Sequence, residues 1–133
     1  ENLMEKLDLY KCVVCGNIVQ TLFIGGGELV CCGQPMKKIE IQTKENAMLE
    51  KHVPVFVIDE NGIDEIRVGE ILHPMTEEHH ITFIETFSED KNYVQMKFLY
   101  ANDEPKMILH EKTPKMVARE LCNIHGLWEG NND

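Results

Sequence analysis

Four of the chain's five cysteines stand in its first 32 residues, as Cys12-x2-Cys15 and the adjacent pair Cys31-Cys32. The stretch that holds them, YKCVVCGNIVQTLFIGGGELVCCGQPMK (residues 10–37), carries five of the nine glycines and little apolar bulk. Such a piece cannot bury enough surface to fold on hydrophobic free energy alone, so it needs a staple. Five is an odd count, which fits a disulfide framework poorly, and clustered thiols in a reducing compartment read as metal ligands. Four thiolates suit a tetrahedral zinc or a single iron. The first pair has the usual spacing for a chain that turns around an ion. The adjacent pair does not: both sulfurs must bend toward one ion from neighbouring residues, which predicts a distorted tetrahedron and favours iron over zinc. The GGG run at 25–27 lacks the G-K-[ST] and the helix start of a phosphate loop, and reads as a flexible turn between the two cysteine pairs.

Beyond the module, the 133 residues suffice for one core of ordinary size. A net charge of −10 argues against nucleic acid or an anionic membrane as partner, and means that an anionic substrate needs a local positive group to draw it in. No apolar run approaches the roughly 20 residues that cross a membrane, and ENLMEKLDLYK has no secretory h-region, so the expected compartment is the cytoplasm. After the polar stretch IEIQTKENAML, read as a linker, the signals are β. VPVFVI, the turn cluster DENG and IDEIRVGEI suggest a hairpin; ITFIETF, YVQMKFLY, KMILHE and KMVAREL follow at spacings that suggest an antiparallel sandwich or barrel.

Histidines stand at 52, 73, 79, 80, 110 and 125. His52 precedes a strand, with Pro54 limiting the backbone beside it. His73 and His79 are six apart across a Pro-containing loop, and Cys122-x2-His125 is a chelating spacing. These four imidazoles and one thiolate are candidates to converge at one end of the β domain. Neighbouring strand residues face opposite ways, so only one of His79 and His80 serves, and periodicity does not choose between them. His110 has no chelating neighbour and reads as an ordinary surface residue.

With these residues in view the chain resembles the two-iron superoxide reductases, the desulfoferrodoxins. The resemblance rests on YKCVVCGNIV, ELVCCGQPM, EKHVPV, VGEILHPMTEEH and CNIHGLW, five motifs in order over nearly the whole chain. It implies a desulforedoxin-like iron module over 1–38, a linker over 39–49, and an immunoglobulin-like β-barrel over 50–133 that carries a second iron. The first iron would be held by Cys12, Cys15, Cys31 and Cys32. The second would take equatorial His52, His73, His79 and His125 and axial Cys122, leaving one position open trans to the thiolate. At position 80, where relatives usually carry an aromatic residue, this chain has His80.

The implied activity is one-electron reduction of superoxide to hydrogen peroxide without dioxygen release, a defence against oxidative stress. Glu50 and Lys51 fall on the family's open face, the lysine to attract superoxide and the carboxylate to occupy the sixth site in the oxidised state. A rubredoxin-like electron donor and a homodimer through the N-terminal module are implied as well. Two other readings compete: a zinc-ribbon-like binding module without catalysis, and an electron carrier with both irons coordinatively closed.

Overall fold

The computed structural model describes residues 3–42, 52–69 and 74–132. Among these there is no α-helix, and the chain divides into two compact units, Glu1–Glu40 and Ile41–Asp133.

The first unit is built from short pieces. Strands β1 (Leu9–Lys11), β2 (Ile18–Gln20) and β5 (Lys37–Lys38) form a sheet in the order β2-β1-β5, and β3 (Val30–Cys31) pairs with β4 (Gln34–Pro35) as a separate hairpin. Leu7, Leu9, Tyr10 and Cys12 are buried, whereas Val13, Val14, Leu22 and Phe23 are exposed. At about 1.5–3 kcal/mol per buried large side chain, so small a set cannot offset the cost of ordering the unit. That is the physical case for a metal staple. Ile39, assigned above to the linker, donates its N–H to the Leu9 carbonyl at 2.8 Å.

The second unit is a sandwich of two antiparallel sheets. One contains β6 (Pro54–Ile58), β7 (Asp64–Val68) and β10 (Lys106–Ile108) in the order β10-β7-β6. The other contains β8 (Ile81–Phe87), β9 (Val94–Phe98), β11 (Val117–Cys122) and β12 (Gly126–Asn131) in the order β12-β11-β8-β9. The expected hairpin is present: Val55 pairs with Arg67 and Val57 with Glu65. The Asp59 carboxylate closes its turn by accepting the N–H groups of Asn61 and Ile63 at 2.8 and 2.9 Å, and Gly62 supplies the positive φ of 82°. Between the sheets lie Ile66, Val68, Ile81, Ile84, Leu99, Met107, Met116, Ala118 and Cys122.

Strand β12 has no counterpart among the strands read from sequence. It forms because each of its residues pairs with β11, from Cys122↔Gly126 to Val117↔Asn131. Ile41 and Gln42 join its other side, Ile41 by a parallel bridge to Leu127 and Gln42 by an N–H bond of 2.8 Å to the Leu127 carbonyl.

Candidate metal centres

The first centre is assembled by two tight turns. After β1 the chain turns back on itself: Gly16 N–H bonds to the Cys12 carbonyl at 3.0 Å, and Cys12 N–H to the Asn17 carbonyl at 2.9 Å. The turn leaves N–H groups aimed at sulfur, with Val14 and Cys15 each donating to Cys12 Sγ at 3.4 Å and Asn17 to Cys15 Sγ at 3.5 Å. The β3–β4 hairpin has Cys32 and Gly33 as its two-residue loop, with φ of 53° and 75°. Positive φ at both positions is the pattern of a type I′ turn, and it swings the Cys32 side chain to the side of Cys31.

As a result the four sulfurs lie within 4.8 Å of one another. A tetrahedral ion with metal–sulfur bonds of about 2.3 Å requires sulfur–sulfur edges of about 3.8 Å. Cys15 to Cys31 measures 3.6 Å and Cys31 to Cys32 measures 4.0 Å. These distances are far too long for a disulfide and right for a shared ion. The expected distortion is therefore small along these two edges, because the left-handed turn at Cys32 absorbs it in the backbone.

The ionisation of the thiols fits the same picture. The Cys15 N–H on its sulfur lowers Cys12 to about 6, whereas Cys32, facing Cys15, Cys31 and Cys12, is pushed up to about 12. The neighbouring sulfurs of Cys15 and Cys12 raise Cys31 too. Four thiolates do not stay together without a cation between them.

The second centre gathers at one end of the sandwich. Three segments contribute to it: the residues just before β6, the loop before β8, and the turn between β11 and β12. His52, His79, Cys122 and His125 each offer a donor atom, and these atoms lie within 4.8 Å of one another. At metal–nitrogen distances of about 2.1 Å, donors on opposite sides of an ion are about 4.2 Å apart, so one ion fits among them. The His52 and His125 rings are 4.7 Å apart at 62°, and those of His79 and His125 are 5.0 Å apart at 73°. A register shift between Leu121 and Cys122 sets Cys122 opposite Ile81, a bulge that aims its sulfur into the buried end of the core. Burial raises the Cys122 thiol, so a cation must supply the stabilisation its thiolate needs.

His79 and His80 both precede β8, in a loop rather than on a strand, and they still diverge. The His80 ring bonds through Nδ1 to the Thr76 carbonyl at 2.9 Å, which ties it to its own loop. His110 is exposed, with its backbone N–H on Gln95 Oε1 at 2.7 Å. His73, Glu50 and Lys51 lie outside the described residues.

Three residues at the second centre escaped the sequence reading. Trp128 stacks on His52 at 5.2 Å and 16°, and donates its indole N–H to the His125 carbonyl at 3.1 Å. Glu120 is fully buried, with Oε2 3.8 Å from His52 Nδ1, and desolvation holds its pKa well above the usual carboxylate range. The signal for Glu120 was available: along KMVARELC, Ala118, Glu120 and Cys122 alternate on one strand face, which puts a carboxylate in the core beside the thiolate. The third, Asn123, bonds across to the loop that carries His79.

Residues 43–131 match the desulfoferrodoxin family, and residues 4–39 match the N-terminal domain of desulfoferrodoxin. The chain belongs to the desulfoferrodoxin family. It is 47% identical over 128 residues to a desulfoferrodoxin of Desulfarculus baarsii, covering 96% of this chain and 98% of that protein. A superoxide reductase of Pyrococcus abyssi is 41% identical over 96 residues, 60% of this chain and 84% of that protein. The fold is that of the superoxide reductase from Treponema pallidum, with a TM-score of 0.68 at 23% identity over 94% of this chain and 97% of the other. The four-sulfur cluster and the imidazole–thiolate cluster match the two iron centres of this family.

Proposed function

We propose that this chain is a superoxide reductase that takes superoxide to hydrogen peroxide at the centre built by His52, His79, Cys122 and His125. The observation that carries the reading is the convergence of three imidazoles and one buried thiolate, drawn from three separate segments of the chain, within 4.8 Å. Iron bound there supplies the single electron that superoxide needs. The protein's own residues do the rest. Cys122 presents its sulfur from inside the core, where low polarity strengthens donation to the metal. Trp128 stacked on His52 and hydrogen-bonded to the His125 carbonyl holds two imidazoles at fixed angles. Glu120 lies behind His52 with its Oε2 3.8 Å from Nδ1, beyond hydrogen-bond length, and adds a buried carboxyl group to the surroundings of that imidazole.

His73 completes the set as the fourth imidazole, a role supported by its place in VGEILHPMTEEH. Lys51 supplies the positive group that a chain of net charge −10 needs in order to collect an anion. Glu50 would offer a carboxylate to the iron held at this centre. The first centre, on Cys12, Cys15, Cys31 and Cys32, staples the small module and stands ready to pass electrons. The small iron module and the catalytic domain follow the two compact units, Glu1–Glu40 and Ile41–Asp133. A rubredoxin-like protein is the donor, two copies pair through the small module, and the protein works in the cytoplasm. No helix among the described residues is long and apolar enough to cross a membrane.

The activity is tested by stoichiometry. A reductase turning over with an electron donor yields one peroxide per superoxide and no dioxygen. One peroxide per two superoxide, with dioxygen evolved, is dismutation and contradicts the reading. Colourless protein holding zinc at both centres, inert to superoxide, supports a binding module instead.

A further inference from the structure

His79 reaches the second centre from a loop that belongs to no strand, so something other than sheet pairing must hold it in place. Thr76 and His79 close the loop locally, with Thr76 N–H on the His79 carbonyl at 2.9 Å and His79 N–H on the Thr76 carbonyl at 3.2 Å. The His80 ring adds its bond to Thr76. These bonds shape the loop but do not locate it against Cys122 and His125.

Asn123 makes three bonds from the 123–125 turn to residues 76–80. Its side-chain Oδ1 accepts the His80 N–H at 3.0 Å, and its Nδ2 donates to the Glu78 carbonyl at 3.1 Å. Its backbone N–H bonds to the His80 carbonyl at 3.1 Å. The side chain thus grips the backbone on both sides of His79, from a position one residue past Cys122 and two before His125.

Resting on the metal-centre reading above, we propose that Asn123 is the positioning residue for His79: its carboxamide sets the distance between that imidazole and the Cys122–His125 pair, and so fixes how tightly the second centre holds its metal. Both side-chain bonds are solvent-exposed, so water replaces them at little cost to global stability. Water does not preserve the position of the loop. The effect of losing the side chain falls on metal retention, as for other residues that orient ligands.

The test uses the full iron-loaded protein in its reduced form, challenged with an excess of a ferrous chelator. Total iron reports both centres, and the thiolate absorption of the first centre is an internal reference in the same molecule. Asn123→Ala is expected to release second-centre iron about tenfold faster than wild type or more, with the first centre unchanged. Asn123→Asp keeps the acceptor for His80 and loses the donor to Glu78, and should fall between the two. Met107→Ala, a core truncation in the opposite sheet, gives the comparison for lowered stability alone. Release from Asn123→Ala no faster than from Met107→Ala overturns the inference. A wild-type protein with no iron at the second centre overturns the metal-centre reading, and the inference with it.

Discussion

Replacing Gly130 with alanine tests how closely β12 packs on the start of β6, the strand that follows His52. Gly130 pairs with Ala118 on β11, and a Cβ placed on it would stand 2.2 Å from the Pro54 carbonyl oxygen and 3.5 Å from Val53 Cγ1. The first of these is a backbone atom that no rotamer change can move aside. Restoring ordinary contact requires β6 and β12 to part by about 1 Å, and overpacking of this kind costs about 1–3 kcal/mol, here toward the upper end. For a unit of this size that corresponds to a fall in Tm of about 10–20 °C. Pro54 is two residues from His52, so the same displacement drags an imidazole away from its partners, and second-centre metal should be lost along with stability. Gly62→Ala is the matching control. Its φ of 82° makes alanine strained, but nothing lies within 4 Å of the added methyl. It should cost about 1 kcal/mol and leave metal content intact. Thermal unfolding followed by circular dichroism, with metal analysis of both variants, decides the matter. A Gly130→Ala protein that melts within about 2 °C of wild type and keeps its metal refutes the packing argument.

Cys122→Ser should abolish the sulfur-to-iron charge-transfer band and superoxide reduction together, because no other thiol stands among the described second-centre donors; retained turnover would remove Cys122 from its role. Lys51→Ala should slow the second-order reaction with superoxide by roughly tenfold and flatten its dependence on ionic strength, measured by rapid mixing or pulse radiolysis, since a steering charge acts through a screened field. Metal uptake at the first centre should expel protons. At pH 8 Cys12, lowered to about 6, is already a thiolate, whereas Cys31 and Cys32 are raised and still protonated, so at least two protons leave per ion bound. A pH-stat titration of metal-free protein counts them, and affinity at this centre should weaken as pH falls. Release of fewer than two protons per ion would contradict the thiol assignments.

The parts of the fold and site that were legible in the sequence are those fixed by local spacing. Cys12-x2-Cys15 and Cys31-Cys32 announce four sulfurs for one ion, and VPVFVI–DENG–IDEIRVGEI announces a hairpin that forms with Asp59 and Gly62 in its turn. What the adjacent cysteines conceal is backbone conformation: nothing in the letters CCG states that Cys32 adopts a φ of 53° and so relieves the strain expected of neighbouring ligands. Strand β12 was not legible because GLWEGN contains two glycines and no β-branched residue; pairing with β11 and the close approach at Gly130 make it a strand. The choice between His79 and His80 required the family resemblance, since both lie in a loop where alternation has no force. Asn123 carried no signal at all. Its partners, Glu78 and His80, are more than forty positions away in sequence.

If two iron centres occupy one chain and the one holding Cys122 reduces superoxide, one titration reads both. Iron is counted first, and the fully reduced protein is then titrated anaerobically with superoxide while the spectrum and the peroxide formed are followed. The expected result is two irons per chain, oxidation of the histidine–thiolate iron by one equivalent of superoxide, one peroxide for each iron oxidised, and no dioxygen. A chain that carries no iron at His52, His79, Cys122 and His125, or whose iron there is untouched by superoxide, contradicts it.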